Sequence, residues 1–341
     1  MKNPTGFGTI TTSRMLTDFK MKTRIGKDIG YAKSLLESGD ICAIPTETVY
    51  GLAANALDSE AVVKIFEAKN RPRFDPLIVH VPSIQKIGDY VTEIPEWAGK
   101  LAGHFMPGPL TLLLEKKDII PDIVTSGLPT VALRIPSHPL TLELLNELNF
   151  PLAAPSANPF GYISPTSAQH VYDQLAGKIP YILDGGDCSI GIESTIVGES
   201  GGKPVILRLG GISAEDIWGV IGKCEIQIHS SSNPVNPGNL EHHYAPRHKL
   251  IFDSMNFDGY DRNKIGIISF QKEYPGIPLE HQQILSHTGN LGEAAQKIFS
   301  AMRALDSKEI RVIFAERFPD EGLGRAINDR LKRASTQNTV L

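Results

Sequence analysis

The sequence predicts an α/β fold in two parts, a larger mixed sheet followed by a smaller parallel one. Short apolar runs typical of buried strands alternate along the chain with helical patterns. A segment rich in serine, proline and asparagine interrupts this alternation at residues 230–247, and 341 residues are enough for two hydrophobic cores. We therefore expect an N-terminal tail at 1–20, a first domain at 21–229, a linker at 230–247 and a second domain at 248–341.

The predicted elements of the first domain follow one another from residue 25 to residue 220. Gly39 is expected to stop the first helix, Asp58 to cap the second, and Ser213 with Asp216 to open the last as a capping box. Strands are expected at 41–44, 77–81, 111–114, 131–136, at the start of 151–167, and at 181–184, 193–197 and 205–210. Helices are expected at 25–36, 58–69, 94–105, 140–148, 168–175 and 213–220.

The second domain shows the same alternation on a smaller scale. Strands are expected at 249–252, 264–270 and 310–314, and helices at 291–305 and 323–333. Strands that alternate with helices are typical of a parallel sheet, so we expect a small parallel α/β domain.

The composition argues against several classes of protein. The net charge is -4, which disfavours a surface coated with basic residues for nucleic acid. Cys42, Cys188 and Cys224 show no CxxC spacing, so neither a zinc site nor a disulfide framework is expected. No apolar run approaches the length of a membrane span, and the N-terminus lacks a signal-peptide core. We therefore expect a cytoplasmic protein with no membrane contact.

A basic turn, KNRPR at residues 69–73, is the first candidate site. Lys69, Arg71 and Arg73 crowd around one proline, which predicts an anion site, although a solvated turn is the simpler interpretation. The hydroxyl-rich loop PTETVYG at the end of a predicted strand favours the anion site, because ligands commonly bind at strand ends. The chain contains neither GxxxxGK[ST] nor GxGxxG, so side chains from several loops would have to hold any nucleotide.

Three charged or titratable residues lie inside predicted strands. Arg134 and Arg208 must each reach the surface or find a buried anion, because an unpaired buried charge is costly. A substrate carboxylate, bound through two parallel N–H groups, would satisfy Arg134. His80 lies in an apolar strand, where a core histidine bonded to the backbone is the usual explanation.

Other polar segments leave two interpretations open. Ser156 and Asn158 are either turn residues or donors to a phosphate or sugar, and Ser156 lacks the GxSxG context of a hydrolase nucleophile. Residues 193–195 are either a hydroxyl face or a plain strand start. The neighbouring histidines at 242–243 are a weak metal signal. The sequence GLGRAINDRL, from residue 322, is either a phosphate site at a helix start or a turn and a cap.

Taken together, the motifs PTETVYGL, KNRP…DPLIVHV, PGPLTLLL, LRIP, APSAN, ISPT, ESTIV, LRLG and HHYAP resemble the threonylcarbamoyl-AMP synthase family. The match runs from residue 25 to residue 211, and the remainder resembles the two-domain branch. The resemblance implies a YrdC-like twisted mixed sheet with flanking helices, followed by a linker and a small Rossmann-like domain. It also implies a nucleotidyltransferase that makes threonylcarbamoyl-AMP and pyrophosphate from L-threonine, bicarbonate or CO2, and ATP with its Mg²⁺.

The resemblance also implies site residues. The threonine positions would be Thr48, His80, Arg134, Ala154 and Ser194. The ATP positions would be Lys69, Arg71, Asp75, Thr130, Ser156, Asn158, Ser164, Arg208 and Tyr244, with Tyr244 in a linker that closes over the nucleotide. Many members carry asparagine where Asp75 stands, and this carboxylate would repel a triphosphate unless a metal ion or Arg73 intervened.

The implied product serves threonylcarbamoyladenosine formation in tRNA, so the implied partner is a transferase machinery that acts on tRNA. Direct contact with tRNA stays open. One alternative is a carbamoyltransferase of hydrogenase maturation, but the acylphosphatase domain and cysteine-rich zinc motifs of that architecture are absent from the sequence. Another is an RNA-binding or ribosome-assembly module, which the acidic net charge and the lack of stacking-aromatic motifs disfavour.

Overall fold

A computed structural model describes residues 21–72, 74–228 and 244–336. The predicted tail, Arg73 and most of the predicted linker, including the histidines at 242–243, therefore lie outside the described residues. The described chain forms an 11-stranded sheet and a 4-stranded sheet. This confirms the predicted mixed α/β fold with a smaller parallel sheet after it, whereas the exact domain boundaries stay predictions.

The larger sheet is mixed, with parallel and antiparallel neighbours. Its strands are β1 (Arg24–Gly26), β2 (Cys42–Ile44), β3 (Gly51–Asn55), β4 (Ile78–His80), β5 (Leu110–Glu115), β6 (Thr130–Arg134), β7 (Leu152–Ala153), β8 (Tyr181–Leu183), β9 (Thr195–Ser200), β10 (Lys203–Arg208) and β11 (Glu225–Ile226). Their order across the sheet is β1-β8-β2-β3-β7-β4-β6-β5-β9-β10-β11. Strands distant in sequence thus become neighbours in space.

Eight helices accompany these strands in the described part of the chain. They are α1 (Ile29–Glu37), α2 (Ser59–Lys69), α3 (Ile84–Ile87), α4 (Glu96–Phe105), α5 (Asp122–Thr125), α6 (Pro139–Glu147), α7 (Ala168–Leu175) and α8 (Ala214–Ile221). Asp58 caps α2 by accepting hydrogen bonds from the next turn, and Ser213 caps α8 in the same way, as predicted. The apolar stripe of α2, which includes Val62, Ile65 and Phe66, is buried.

The smaller sheet is fully parallel. Its strands are β12 (Lys249–Phe252), β13 (Ile265–Ser269), β14 (Gln282–Ile284) and β15 (Val312–Ala315), in the order β12-β15-β13-β14. The helices α9 (Leu291–Asp306) and α10 (Gly324–Ser335) follow β14 and β15. One continuous apolar cluster includes residues of both sheets, so the two parts share a core.

The sequence did not predict α3, α5, β11 and β14, and the prediction differs from the structure at two further places. Ile25 lies in β1 and not in a helix, because α1 begins only after Asp28, whose side chain accepts a hydrogen bond from the Tyr31 N–H. The segment GLAAN (51–55) forms β3, which the sequence did not predict, since glycine and alanine have low β propensity. Tertiary pairing with β2 and β7 compensates for that low propensity and buries four of its five residues.

The topology gathers several strand ends at one place. β4 and β6 are parallel neighbours, and their register pairs His80 with Arg134. Side chains at paired positions of adjacent strands project from the same face, so these two lie side by side. β4 also pairs with β7 on its other edge, which brings the loop after Ala153 to the same end of the sheet. No helix in the described ranges is long and apolar enough to cross a membrane.

Candidate functional site

A cavity opens where β4 and β6 end, beside the loop that follows β2. Segments far apart in sequence contribute to its wall, so only the folded chain creates it. Among its lining residues are Thr46, Thr48, Arg71, His80, Arg134, Ala154, Ser156, Glu193, Arg208 and Tyr244. The structure therefore brings together four of the five predicted threonine positions and four of the nine predicted ATP positions.

Arg134 forms a buried ion pair with Glu47. The distance from Arg134 Nη2 to Glu47 Oε1 is 2.7 Å, and Arg134 is only 4% exposed. Arg134 Nη1 also donates to Thr48 Oγ1 at 2.8 Å, and Nε donates to the Gly108 carbonyl at 3.3 Å. Each terminal nitrogen of a guanidinium carries two N–H groups. Nη2 lies close to Glu47 but makes no aligned hydrogen bond among the described residues, so the guanidinium keeps donor capacity for a further carboxylate.

Glu47 is the functional residue that the sequence reasoning missed. The sequence predicts a buried anion for Arg134, and in the structure Glu47 is such an anion. The signal was present, because Glu47 is the one carboxylate in the hydroxyl-rich loop PTETVYG. The backbone holds Glu47 in place, since the Ser137 N–H donates to its Oε2 at 3.1 Å.

His80 is almost fully buried beside Arg134 in the cavity wall. Burial, together with the nearby charge of Arg134, lowers the pKa of His80 to about 3. The imidazole is therefore neutral at physiological pH. It presents a polar but uncharged surface beside the cationic Arg134, and it lies on the cavity rather than in a closed core.

Arg208 approaches the cavity from the neighbouring strands. Its Nε donates to the Ser194 carbonyl at 3.0 Å, and its Nη2 donates to Ser194 Oγ at 3.0 Å. Ser194 Oγ lies 2.7 Å from Thr111 Oγ1. Burial lowers the pKa of Arg208 to about 10, which still leaves the group charged at neutral pH. Ser194 therefore orients Arg208 rather than lining the cavity itself.

Two cations of the basic turn have different places. Arg71 lines the cavity, and Lys69 stabilises the loop that carries Ser156. Arg71 pairs with the buried Asp75, whose Oδ2 lies 2.8 Å from Arg71 Nη2. The countercharge of Asp75 is thus Arg71. Lys69 is buried and donates through Nζ to the backbone carbonyls of Ser156 and Asn158. Burial holds the pKa of Lys69 well below its ordinary value.

The remaining predicted ATP positions have different placements. Asn158 Nδ2 donates to the Tyr162 carbonyl at 2.8 Å, and Ser164 Oγ donates to Glu193 Oε1 at 2.7 Å, so both stabilise the wall from behind. Thr130 begins β6, four residues before Arg134, and borders a different cavity with Trp97. The structure does not bring Thr130 to the site.

Tyr244 lines the cavity together with Glu193 and Arg208. Its ring stacks on Phe299 of α9, with 5.4 Å between centroids, and it is only 1% exposed. Burial raises the pKa of Tyr244 to about 12, so the phenol is protonated at neutral pH. Its φ of 67° lies in the left-handed region, a conformation that costs energy for a residue other than glycine and often marks a functional site.

The arrangement is suited to binding anions. Arg71, Arg134 and Arg208 face one cavity, two of them already paired with a carboxylate. Such groups can neutralise and position charged substrates, and they require no nucleophile of the protein. Among the described residues, no group of three or more His, Cys, Asp or Glu side chains could hold a metal ion.

Comparison with known proteins identifies similar chains. The Sua5/YciO/YrdC family model, whose description reads "Telomere recombination", matches residues 34–210. A second model, "Threonylcarbamoyl-AMP synthase, C-terminal domain", matches residues 212–336. The two matches meet between β10 and α8, ahead of the boundary predicted from the sequence.

Relatives and solved structures agree with these matches. The threonylcarbamoyl-AMP synthase of Pyrococcus abyssi is 41% identical, over 90% of this chain and 94% of that protein. The threonylcarbamoyl-AMP synthase of Bacillus subtilis is 39% identical, over 90% of this chain and 92% of the relative. The crystal structure of P. abyssi Sua5 complexed with L-threonine superposes with a TM-score of 0.83 at 39% identity, covering 92% of this chain and 97% of the other.

Proposed function

The chain belongs to the Sua5/YciO/YrdC family, and from that premise we propose that it is a threonylcarbamoyl-AMP synthase. It converts L-threonine, bicarbonate or CO2, and ATP into threonylcarbamoyl-AMP and pyrophosphate. This is a nucleotidyl transfer, because the AMP moiety passes from pyrophosphate to a carbamate. The observation that carries the proposal is one cavity that joins Arg134 to Arg71 and Arg208.

Threonine is proposed to bind at the Arg134 end of the cavity. The threonine carboxylate would bind the Arg134 guanidinium, and the Thr48 hydroxyl and the neutral His80 would contact the remaining polar groups. Ala154 presents only a methyl group to the cavity, which suits the short side chain of threonine. Ser194 does not line the cavity and contributes by accepting hydrogen bonds from Arg208.

ATP is proposed to bind at the Arg208 end. Arg71 and Arg208 would face the phosphates, and Ser156 and Tyr244 line the space beside them. Lys69 fixes the backbone of the loop that carries Ser156. Mg²⁺ is proposed to arrive with ATP, held by phosphate oxygens and water, since Mg²⁺ usually keeps several waters.

The reaction then needs positioning and charge neutralisation. The threonine amine adds to the carbon of CO2 and loses a proton, which gives a carbamate. A carbamate oxygen attacks the α-phosphorus of ATP, and the bond to the β,γ-pyrophosphate breaks. Holding the carbamate in line with the leaving group supplies the acceleration, and the arginines neutralise developing charge. The product is a reactive mixed anhydride, so a tRNA-directed transferase machinery must consume it.

The test is pyrophosphate release by the purified full chain. We expect release from ATP only when threonine and bicarbonate are both present, together with formation of a threonylcarbamoyl adenylate detectable by mass spectrometry. Folded protein that binds ATP but releases no pyrophosphate under these conditions would refute the proposal. RNA binding with a steep salt dependence that survives Arg134→Ala would instead favour an RNA-binding module.

A further inference from the structure

Arg330 extends from the smaller sheet's helix α10 into the wall of the cavity. It is fully buried, at 0% exposure. Its Nε donates to Glu193 Oε2 at 2.9 Å, and its Nη2 donates to the Leu209 carbonyl at 2.8 Å. Both partners belong to the part of the chain that forms the larger sheet. Its remaining terminal nitrogen donates to Asp329 at 2.8 Å.

Glu193 is the carboxylate at this end of the cavity. It lines the space together with Arg208 and Tyr244, so its charge lies where the proposed triphosphate would bind. Burial alone would raise the pKa of Glu193, but the charges of Arg330 and Arg208 hold it below its ordinary value. Glu193 is therefore ionised and interacts electrostatically with two arginines, one facing the cavity and one behind it.

Arg330 also contacts Tyr244, which lines the cavity. Its guanidinium carbon lies 5.3 Å from the centre of the Tyr244 ring, within the range of a cation–π interaction. The Tyr244 ring also stacks on Phe299 of α9. Tyr244 is thus held by two groups from the smaller sheet's helices.

We propose that Arg330 is a positioning residue for the nucleotide: by pairing with Glu193, it balances the carboxylate that lines the proposed phosphate end of the cavity. This inference rests on the proposed function, because ATP supplies the phosphate. Without Arg330, Glu193 would lose its hydrogen-bonded countercharge and repel the triphosphate. This repulsion weakens ATP binding more than threonine binding, because Arg134 at the threonine end has its own carboxylate partner, Glu47.

The competing explanation is that Arg330 only joins the two parts of the protein. Arg333, one turn later on α10, offers a matched comparison. It is also buried, at 3% exposure, and its Nε lies 3.1 Å from Asp329 Oδ2. Arg333 is not among the residues that line the cavity. A purely structural role predicts similar behaviour for the two arginines.

The experiment compares full-length wild type with R330Q, E193Q/R330Q and R333Q. Calorimetric titration measures ATP and threonine affinity separately, and thermal unfolding is recorded for each variant. We expect R330Q to weaken ATP affinity about 10-fold or more while changing threonine affinity less than about 2-fold. E193Q/R330Q should recover ATP affinity to within about 3-fold of wild type, because it removes the unpaired carboxylate. R333Q should lower Tm without changing the ratio of the two affinities.

Several results would overturn the inference. One is an equal loss of ATP and threonine affinity in R330Q, and another is no recovery of ATP affinity in E193Q/R330Q. If R330Q does not fold, the double variant decides alone, and ATP affinity far below wild type refutes the proposal. Wild-type protein that binds no ATP would refute it as well. Because binding is measured without turnover, a missing synthase activity would be seen separately in the pyrophosphate assay.

Discussion

Glu47 and Arg134 form an ion pair inside the protein, with 2.7 Å between Glu47 Oε1 and Arg134 Nη2. The pair fixes the guanidinium before any substrate arrives, so the cost of ordering this side chain is met during folding. It also gives Arg134 two separable roles. One is to balance a buried carboxylate, and the other, under the proposed function, is to bind the carboxylate of threonine.

The two roles of Arg134 can be separated by substitution. Arg134→Gln should lower the free energy of unfolding by about 3–5 kcal/mol, because Glu47 is left buried without its countercharge. It should also raise KM for threonine about 100-fold or more, with KM for ATP changed less than about 3-fold. The double variant Glu47→Gln/Arg134→Gln should regain most of the stability but not the threonine affinity. Recovery of both in chemical denaturation and steady-state kinetics would contradict the carboxylate-binding role.

His80 should make the protein less stable in mild acid. Its pKa is lowered to about 3 in the folded protein, whereas an unfolded histidine titrates near about 6.5. Below that pH the unfolded chain therefore binds more protons, and the free energy of unfolding falls as pH falls. The contribution of His80 between pH 7.5 and 5 is about 2 kcal/mol.

His80→Gln should accordingly lose about 2 kcal/mol less than wild type over that pH interval, as measured by urea unfolding. His170, whose pKa burial lowers to about 4, stays in both proteins, so the difference between them isolates His80. Parallel pH curves for variant and wild type would mean that the pKa of His80 is not lowered in the folded protein.

Asp75→Asn should strengthen ATP binding at a cost in stability. Arg71 then loses its charged partner, and its guanidinium becomes available to phosphate. We expect KM for ATP to fall about 3-fold to 10-fold and the free energy of unfolding to fall by about 2–4 kcal/mol. Steady-state kinetics and urea unfolding measure the two changes. Weaker ATP binding in this variant would show that Asp75 positions Arg71 for the nucleotide.

Ser156 and Thr130 provide a paired test of the ATP positions. Ser156 lines the cavity. Thr130 lies at the start of β6, at the opposite end of that strand from Arg134, and borders a different cavity. Ser156→Ala should raise KM for ATP about 3-fold to 10-fold, because one hydrogen bond to a charged group is lost. Thr130→Ala should leave it within about 2-fold of wild type. A larger effect at Thr130 would place the nucleotide outside this cavity.

The sequence predicted most strands and helices because their apolar periods were clear, as in α2 with its Asp58 cap. It missed β3, since the pairing that stabilises GLAAN comes from β2 and β7, the latter nearly 100 residues away in sequence. Local propensity carries no information about such partners. The predicted cytosolic location and the predicted tRNA partner remain untested by the structure.

At the site, too, the sequence predicted individual residues better than the long-range contacts between them. Loop chemistry and motif resemblance pointed to the residues that gather at the cavity, including Thr48 and Arg208. They did not reveal which charges pair there. Arg134 meets Glu47 and Glu193 meets Arg330 only in the folded protein, across 87 and 137 residues of sequence. The segment GLGRAINDRL contributes Arg330 rather than a phosphate site at its helix start.

The separation between Glu193 and Arg330 in sequence also means that they are synthesised at different times. A ribosome adds about 5–20 residues per second, so roughly 7–27 s pass between synthesis of the two residues. During that delay the chain already contains Glu193, while the arginine that pairs with it has not yet been made. The buried charge of Glu193 can therefore gain this partner only after the second part of the chain has been synthesised.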